Sequence, residues 1–427
     1  MNTSPLAIRI ARQLALATTL ALVGGGLTAC AVTTTTTETT QSSAVVIDTS
    51  SFWDSSTVHT IDIAGVDYDA LIASYLASGD KEWGTGTVTI DGVVFENVGV
   101  KLKGNSSLRD VTADADPATL PWVIRLDKFV DDQEYLGETE FVVRGNNSSS
   151  ALNEALALEL LADTGLATQE AVSSRVSFDG GAQQLRLVIQ NPDEGWVDEQ
   201  FGDDSALLYK AESGGDYSYR GDDAELYTDV FDQEAGDDNL VPLTTFLKFI
   251  NESDDATFAA ELDSYLDVES FATYLAFQDL IDNFDDIAGP GNNSYLYYDE
   301  ETQLMTVVSW DLNLAFGVRN EVGQGATQAG GPQAGAPQGG NVAGGNVVGG
   351  NGGPSSGNIL AERFMADPTF SALYDAAKVD LTASLFASGL AQSQLDAWVA
   401  LLNSQAGDLI TSDVVASDAA SIESYFG

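Results

Sequence analysis

The sequence predicts an α+β protein with a β-rich first half and a mainly helical second half. Residues 58–63 and 87–103 alternate apolar side chains with polar or small ones, which is the period-two pattern of strands that bury one face. Residues 151–162 and 268–283 instead carry apolar side chains at helical spacing. The tail from Ile359 onward also has a helical pattern. Strands and helices are therefore largely segregated along the chain, as in α+β folds.

Turn-forming residues separate the predicted strands. A hairpin turn is predicted at Asp91-Gly92. The strand that follows this turn ends at Gly104-Asn105-Ser106-Ser107. Ser149 or Ser150 is the predicted cap of the first long helix, and Gly165 ends that helix. Further strands are predicted over residues 122–126, 140–144, 172–178, 185–190, 294–298 and 304–310.

The first 29 residues have the layout of a secretory signal peptide. Arg9 and Arg12 precede a short apolar run, and small residues precede Cys30. Residues 27–30, Leu-Thr-Ala-Cys, resemble the bacterial lipobox, in which the cysteine is lipidated and becomes the first residue of the mature chain. The prediction is a lipoprotein of the cell envelope, outside the cytoplasm, that contacts the membrane only through its lipid anchor.

The rest of the chain is predicted to form one domain on a tether. Residues 30–50 contain the lipidated Cys and a Thr/Ser-rich stretch that predicts a solvated linker. The folded domain is expected over residues 51–427. A Gly-rich segment without aromatic residues interrupts it at about residues 321–357, and such a segment cannot bury enough apolar surface to order itself. The prediction there is a disordered insert.

Composition excludes several classes of function. The chain has 427 residues with 65 Asp and Glu against 17 Lys and Arg, so its formal net charge is −48. That charge disfavours nucleic-acid binding and electrostatic docking on anionic membranes. A single Cys and a single His rule out a disulfide framework and a His-rich metal site. Carboxylates remain as the abundant reactive groups, and they suit hard cations such as Mg²⁺ and Ca²⁺.

The stretch after the second long helix carries the strongest candidates for chemistry. It presents Asp285 and Asp286 in one loop, Asn292 and Asn293 before a predicted hairpin, and Asp311 at the end of that hairpin. Protein kinases use this order, with an Asp near the attacking hydroxyl, an Asn a few residues on and a metal-holding Asp. Asp311 is the best single candidate, and a helix cap or strand-end turn is its alternative. The sequence does not decide between Asp285 and Asp286.

A turn upstream of that stretch is a candidate for phosphate binding. Lys103, Gly104, Asn105 and Ser106 follow a predicted strand. Backbone N–H groups in a Gly/Ser turn of this kind can approach phosphates, although an ordinary loop has the same composition. The turn therefore supports a nucleotide site only together with other groups.

Glu154 lies on the first long helix, where a kinase places the acid that pairs with a phosphate-binding cation; a solvated helix face is the alternative. Arg125 and Lys128, near the end of a predicted strand, are the candidates for that cation. Basic residues are scarce, so a cluster of them predicts one area suited to a polyanion such as a nucleoside triphosphate. The cluster comprises Lys101, Lys103, Arg109, Arg125, Lys128 and Arg144.

These segments together resemble the CotH kinase family, the proteins similar to spore coat protein H. The resemblance covers about residues 57–410. Its most specific part is a helix followed by an Asn-x-Asp-Asp loop, an Asn-Asn pair that opens a Tyr-rich strand, and a Trp-Asp-Leu ending. The segments that carry the resemblance are residues 98–109, 122–146, 152–168, 192–212 and 274–317.

The resemblance implies an atypical protein-kinase-like, two-lobed domain. It implies ATP and a divalent metal, Mg²⁺ or Mn²⁺, as cofactors, and a Ser/Thr-rich protein outside the cytoplasm as the phosphate acceptor. Carried over by position, the catalytic acid is Asp285 or Asp286, Asn292 or Asn293 and Asp311 hold metal, and Glu154 pairs with the phosphate-binding cation.

Two departures from the family pattern leave an alternative open. Arg125 stands where the family tends to have Lys, and Gln190 stands where a Glu is usual. The alternative is a catalytically silent surface lipoprotein that acts as a binding or structural module, with Ca²⁺ as a possible ligand. Residues 216–238 are acidic, but they lack the spacing of an EF-hand loop and are better explained as a solvated loop.

Overall fold

The computed structural model describes residues 51–202, 206–212, 214–289, 292–318 and 357–427, apart from the side chain of Ser106. The predicted signal peptide, Cys30 and the tether lie outside the described residues, as does the predicted insert up to residue 356. The described residues belong to a single compact unit.

Seven strands from the first part of the described chain close into a barrel. Hydrogen-bonded neighbours follow the order β1-β2-β3-β4-β5-β7-β6, and β6 pairs parallel to β1 to complete the circle. The predicted strands are confirmed in place, but the predicted sheet is a closed barrel. The strands are β1 (His59–Ala64), β2 (Gly84–Ile90), β3 (Val93–Leu102), β4 (Trp122–Arg125), β5 (Glu140–Val143), β6 (Ala171–Phe178) and β7 (Gln184–Ile189).

Alternation of buried and half-buried residues explains why these strands form a barrel. In β1, residues His59, Ile61 and Ile63 are buried while the residues between them are half-exposed. Large side chains such as Trp122 and Phe141 are completely buried. Because each aromatic ring removes a large apolar area from water, these residues supply much of the driving force for closure.

A second sheet lies in the later part of the described chain. Its order is β11-β10-β8-β9, and every neighbouring pair is antiparallel. The hairpin of β10 and β11 was predicted, whereas its pairing with the distant β8 was not. The strands are β8 (Leu207–Ala211), β9 (Phe231–Ala235), β10 (Ser294–Asp299) and β11 (Leu304–Ser309).

Helices make up most of the remainder, and those after residue 359 confirm the predicted helical tail. None of the helices in the described ranges has the length and apolar character needed to cross a membrane. The helices are α1 (Tyr68–Ser78), α2 (Leu152–Asp163), α3 (Glu194–Phe201), α4 (Val241–Glu252), α5 (Asp255–Glu261), α6 (Val268–Leu280), α7 (Ile359–Ala366), α8 (Pro368–Leu381), α9 (Leu390–Gln405) and α10 (Ser412–Glu423).

The central helix α2 is buried on nearly all sides, including its polar residues Asn153 and Glu154. Of the two predicted caps, Ser150 takes part, because its Oγ accepts a hydrogen bond at 3.4 Å from the backbone N–H of Leu152 at the start of α2. Its N-cap residue is Ala151, which has a left-handed backbone and no side-chain cap bond. The Oγ of Ser148 instead accepts a hydrogen bond from the backbone N–H of Ala151 at 3.0 Å. Burial of α2 removes the solvated-face alternative for Glu154.

The only histidine of the chain stabilises the turn between β2 and β3. His59 Nδ1 lies 2.7 Å from Asp91 Oδ2. The backbone N–H of Thr60 and the hydroxyl of Tyr135 also donate to Asp91, at 2.8 and 3.1 Å. Burial would raise the pKa of Asp91, but these hydrogen bonds outweigh it and lower the pKa below its ordinary value.

Asp91→Asn is expected to lower the free energy of unfolding at pH 7 by about 2–3 kcal/mol, because hydrogen bonds to a charged acceptor are lost. The pKa of Asp91 is lower in the folded state, so this stabilisation is present above the unfolded pKa and lost as pH falls below about 4. Urea unfolding at pH 7 and pH 3 tests this. The difference in free energy of unfolding between Asp91→Asn and wild type should shrink at pH 3. The exposed control Asp69→Asn should change the free energy of unfolding little at either pH. A difference that persists undiminished at pH 3 contradicts the role of a charged Asp91.

Candidate functional site

The centre of the site is an arginine that contacts two carboxylates from separate parts of the fold. Arg144 directly follows β5, Glu154 lies in the first turn of α2, and Asp311 follows β11. Arg144 Nε donates to Glu154 Oε2 at 3.0 Å, and its Nη2 lies 2.9 Å from Glu154 Oε1. The same Nη2 also contacts Asp311 Oδ1. This one side chain therefore connects the barrel, the central helix and the second sheet.

Electrostatics keep Arg144 charged in this position. Burial alone would lower the pKa of Arg144, but Asp311 and Glu154 raise it above its ordinary value. Burial raises the pKa of Glu154, and Arg144 opposes that rise. The three groups are unequally accessible, since the side chain of Asp311 is 24% exposed and that of Glu154 is 3% exposed. Asp311 is therefore the member that a ligand can reach.

The backbone at Asp311 explains its orientation. Asp311 has a left-handed φ of 59° and precedes a short 3₁₀ turn, Leu312–Leu314, to which its side chain makes no cap hydrogen bond. The helix-cap alternative for Asp311 is therefore wrong. A non-glycine residue in this conformation is uncommon and is held here by the surrounding structure.

The loop after α6 separates the two candidate catalytic acids. Asn293 Nδ2 donates to the backbone oxygen of Asp285 at 2.9 Å and to its Oδ2 at 3.0 Å, so Asp285 is held in place and half-exposed. Asp286 is buried, and its Oδ1 accepts a hydrogen bond from the backbone N–H of Ala288. Burial raises the pKa of Asp286 to about 6. Asp286 thus stabilises the loop, and Asp285 is the more accessible of the two acids.

The loop also contains Asn292, which is buried, has a left-handed φ of 51° and lies two residues before β10. Its backbone oxygen accepts a hydrogen bond from Ser294 Oγ at 3.1 Å. Asn293 therefore contacts Asp285, and Asn292 lies next to Asn293 in the chain, as the sequence order suggested.

A buried amide network ties this loop to the strand that precedes Asp311. Gln278 Nε2 donates to Ser309 Oγ at 3.0 Å, and Asn283 Nδ2 donates to Gln278 Oε1 at 2.9 Å. Asn283 Oδ1 is buried and has no hydrogen-bond partner among the described residues. An unsatisfied buried oxygen is costly, so it is a natural place for an external donor or a cation. Sequence reasoning gave Asn283 no role.

The donor chemistry fits a small hard cation. Mg²⁺ and Mn²⁺ prefer oxygen ligands, and Mg²⁺ in phosphoryl-transfer sites is held by one or two carboxylates together with the phosphates of the nucleotide. Asp311 offers the accessible carboxylate and Asn283 the unsatisfied amide oxygen. Across the described ranges, no group of three or more His, Cys, Asp or Glu side chains has the arrangement of a metal site.

The predicted phosphate turn reaches the same centre. Lys103 Nζ donates to Asn191 Oδ1 at 2.7 Å and lies 5.0 Å from the centre of the Trp310 ring, next to Asp311 in the chain. Burial, followed by repulsion from Lys210, lowers the pKa of Lys103 to about 7. Gly104 has a φ of 93°, which only glycine adopts readily, and Asn105 is exposed. Of Ser106, only the backbone is described.

Arg125 does not pair with Glu154. Its Nε donates to Asp127 Oδ1 at 2.8 Å and lies 4.0 Å from Glu140, with the side chain 42% exposed. Lys128 lies over the Trp83 ring instead. The expectation that Arg125 or Lys128 meets Glu154 is therefore wrong, and the cation is Arg144. A signal was present in the sequence, because Arg144 follows the apolar strand residues Phe141–Val143 directly.

Gln190 and the acidic stretch 216–238 were also singled out in the sequence, and both make hydrogen bonds or ion pairs with nearby side chains. Gln190 Nε2 donates to Glu199 Oε2 at 2.9 Å, and Gln190 lines a cavity of about 160 Å³ together with Asn191 and Glu140. In the acidic stretch 216–238, Asp222 pairs with Lys248 at 2.8 Å. Gln190 therefore lies next to Asn191, the partner of Lys103.

A comparison with known protein families finds a match over most of the chain. The family model described as CotH kinase protein matches residues 100–419, three quarters of the chain. The chain belongs to the CotH kinase family. The match includes Arg144, Glu154, Asp285 and Asp311. No curated protein matches the chain.

Proposed function

We propose that this protein is an atypical kinase that transfers the terminal phosphoryl group of ATP, with Mg²⁺ or Mn²⁺, to Ser or Thr hydroxyls of a protein acceptor. The observation that carries the proposal is the contact of Arg144 with both Glu154 and Asp311. Protein kinases place one cation between the acid of a central helix and the phosphates, close to a metal-holding Asp. Membership of the CotH kinase family supports the same activity.

The two-lobed kinase arrangement is part of this proposal. The barrel with α2 corresponds to the lobe that covers the phosphates, and the second sheet with the later helices corresponds to the lobe that carries Asp285 and Asp311. Closure of the barrel by β1 and β6 is a departure from the open sheet of a kinase lobe. Lys103 and Arg144 directly follow β3 and β5 of this barrel.

Each residue has a distinct task in the proposed reaction. Asp311 and an amide oxygen from Asn283, Asn292 or Asn293 would hold the metal, which neutralises the charge of the phosphates. Arg144 and Lys103 would orient those phosphates, and the backbone of the turn that begins with Gly104 would allow their close approach. Asp285 would accept the proton of the attacking hydroxyl.

We also propose that the chain is secreted and lipidated at Cys30, so that its acceptors are proteins of the cell envelope or the exterior. The signal-peptide layout of residues 1–29 and the Leu-Thr-Ala-Cys sequence support this. Labelling of the expressed protein with a clickable palmitate analogue tests it: wild type should incorporate the label, and Cys30→Ser should not.

Substitutions at the two neighbouring acids test the proposed kinase chemistry. Asp285→Asn is expected to leave metal-dependent ATP binding within about threefold of wild type and to lower phosphoryl transfer about 10²–10⁴-fold, the usual effect of losing a general base. Asp286→Asn should act mainly on stability, because Asp286 stabilises its own loop. Calorimetry with ATP and transfer of labelled phosphate to a Ser-rich protein provide the two measurements.

The outcomes separate the kinase from its alternative. Transfer by Asp285→Asn at the wild-type rate would remove Asp285 from the mechanism. Absence of ATP binding by a folded wild-type sample at millimolar nucleotide, with either metal, would favour a catalytically silent binding module of the same family.

A further inference from the structure

Lysines are concentrated at one place in this acidic molecule. The chain has only seven, and five of them gather around the end of β3, among them Lys210 from β8 of the second sheet. Lys101 and Lys128 lie over the same Trp83 ring, at 4.5 and 5.1 Å from its centre. The five are Lys81, Lys101, Lys103, Lys128 and Lys210.

The five lysines differ in their partners. Lys210 pairs with Glu212, and Lys103 donates to Asn191. By contrast, Lys81, Lys101 and Lys128 make no ion pair within the described part of the chain, although acids outnumber bases there severalfold. We call the surface formed by these three lysines and Trp83 the outer lysine face.

We propose that the outer lysine face binds an anionic side chain of the acceptor protein, a carboxylate or a phosphoryl group, close to the hydroxyl that is phosphorylated. This inference rests on the proposed kinase function and names its class of acceptor. An ammonium held against an indole ring keeps its charge while its position is restricted. Lys101 and Lys128 are held in this way on Trp83, and Lys81 lies near Lys101, so the three together form a site that an external anion can complete.

The position of the face connects it to the transfer centre. Lys101 and Lys103 are two residues apart along an extended chain, so they project from the same side and are separated by roughly 7 Å. Lys103 in turn lies on Trp310, the residue before Asp311. Since an extended acceptor advances about 3.3 Å per residue, an anion on the face belongs to a residue two to four positions from the accepting hydroxyl.

The surrounding charges favour an anion at this face over a cation. Glu140 and Glu234 attract Lys101, and Glu212 and Asp232 attract Lys81, but all act from beyond ion-pair distance. Burial is the main reason that the pKa values of Lys81 and Lys101 are lowered, and neighbouring lysines add to it. A bound anion relieves that repulsion. A basic acceptor, in contrast, is attracted to most of this negatively charged surface. That attraction does not fix which of its residues lies at the transfer centre.

Peptide binding to the full-length protein tests the proposal without requiring catalysis. Three peptides share a central Ser and differ three residues away, where they carry Glu, phosphoserine or Gln. Fluorescence anisotropy at low salt is expected to show about tenfold tighter binding of the Glu or phosphoserine peptide than of the Gln peptide. The Lys81→Gln/Lys101→Gln/Lys128→Gln variant should reduce that preference to less than threefold.

A single-site pair provides the matched control. Lys128→Gln should weaken the preference, whereas Lys248→Gln, which removes the same charge next to Asp222, should leave it unchanged. Tighter binding of the phosphoserine peptide than of the Glu peptide identifies an acceptor that is already phosphorylated. Equally tight binding of these two peptides, both above the Gln peptide, identifies an acidic acceptor. Equal binding of all three peptides, or a preference that survives the triple substitution, overturns the proposal.

ATP binding measured on the same samples keeps the two proposals distinct. Loss of peptide preference with intact ATP binding in the triple variant supports the outer lysine face as an acceptor site. Metal-dependent ATP binding by a wild type that does not distinguish the peptides contradicts this inference alone. Absence of ATP binding contradicts the kinase function, whatever the peptides do.

Discussion

Arg144→Met is expected to lower the free energy of unfolding by about 3–5 kcal/mol, because it leaves a buried carboxylate without its partner. Glu154 is 3% exposed and lies in a helix surrounded by apolar side chains, so water cannot replace the arginine. Urea or thermal unfolding measures the loss. Arg125→Met is the matched control, since Arg125 is 42% exposed and its ion pair with Asp127 should contribute less than about 1 kcal/mol.

The same pair predicts a pH dependence. Burial raises the pKa of Glu154, and removal of Arg144 takes away the group that opposes the rise. A folded-state pKa above the unfolded one means that the variant is more stable at low pH and loses stability as pH rises through the folded pKa. The deficit of Arg144→Met should therefore be larger at pH 8 than at pH 5.

The double variant Arg144→Met/Glu154→Gln checks the explanation. Neutralising Glu154 should recover at least half of the lost stability, because no buried charge then remains unpaired. A double variant that is as unstable as Arg144→Met would show that packing, not charge, dominates. A loss below 1 kcal/mol in the single variant would contradict the assignment of Arg144 as the central ion-pair residue.

Asp311→Asn is expected to weaken metal-dependent ATP binding at least 100-fold, since it removes the accessible carboxylate that would hold the metal. The substitution keeps the shape of the side chain and an oxygen for the contact with Arg144. Calorimetry with ATP and Mg²⁺ or Mn²⁺ measures the effect, and a repeat with metal chelated establishes how much of the binding depends on the cation.

The control for Asp311→Asn is Asp375→Asn, which changes an exposed acid on α8 and should bind ATP like wild type. Circular dichroism at the assay temperature verifies that both variants are folded. Metal-dependent ATP binding by Asp311→Asn at the wild-type level would show that Asp311 does not hold the metal. ATP binding that remains when the metal is chelated would point to Lys103 and Arg144 as the nucleotide contacts.

Local structure in this protein followed closely from local sequence. The helix that carries Glu154, the hairpin of β10 and β11 and the position of Asp311 at its end were all predicted to within a few residues. Each depends on periodicity and on turn residues that act over a few positions. The closure of the barrel was missed because β1 and β6 are more than 100 residues apart and neither carries a signal for the other.

Partner choice within the site was beyond local sequence for the same reason. Arg144 and Asp311 are 167 residues apart, and the sequence favoured Arg125 or Lys128 as the cation, whereas the fold places Arg125 beside Asp127 and Lys128 over Trp83. Likewise, Asp285 and Asp286 are chemically identical in sequence. Only the fold distinguishes them. The backbone N–H of Ala288 donates to Asp286, which is buried, and the side chain of Asn293 donates to Asp285, which is half-exposed.

The sequence by itself determined the inventory of this protein: most of its barrel strands, its two long helices and helical tail, its excess of carboxylates, its scarce lysines and the order of the candidate groups along the chain. The tertiary structure alone decided which cation meets Glu154, which of the two neighbouring acids is buried, and which lysines make no ion pair among the described residues. The physical reason is that ion pairs and buried amides form between surfaces brought together by packing. Periodicity reports which face of an element is buried, but not which distant side chain lies against it.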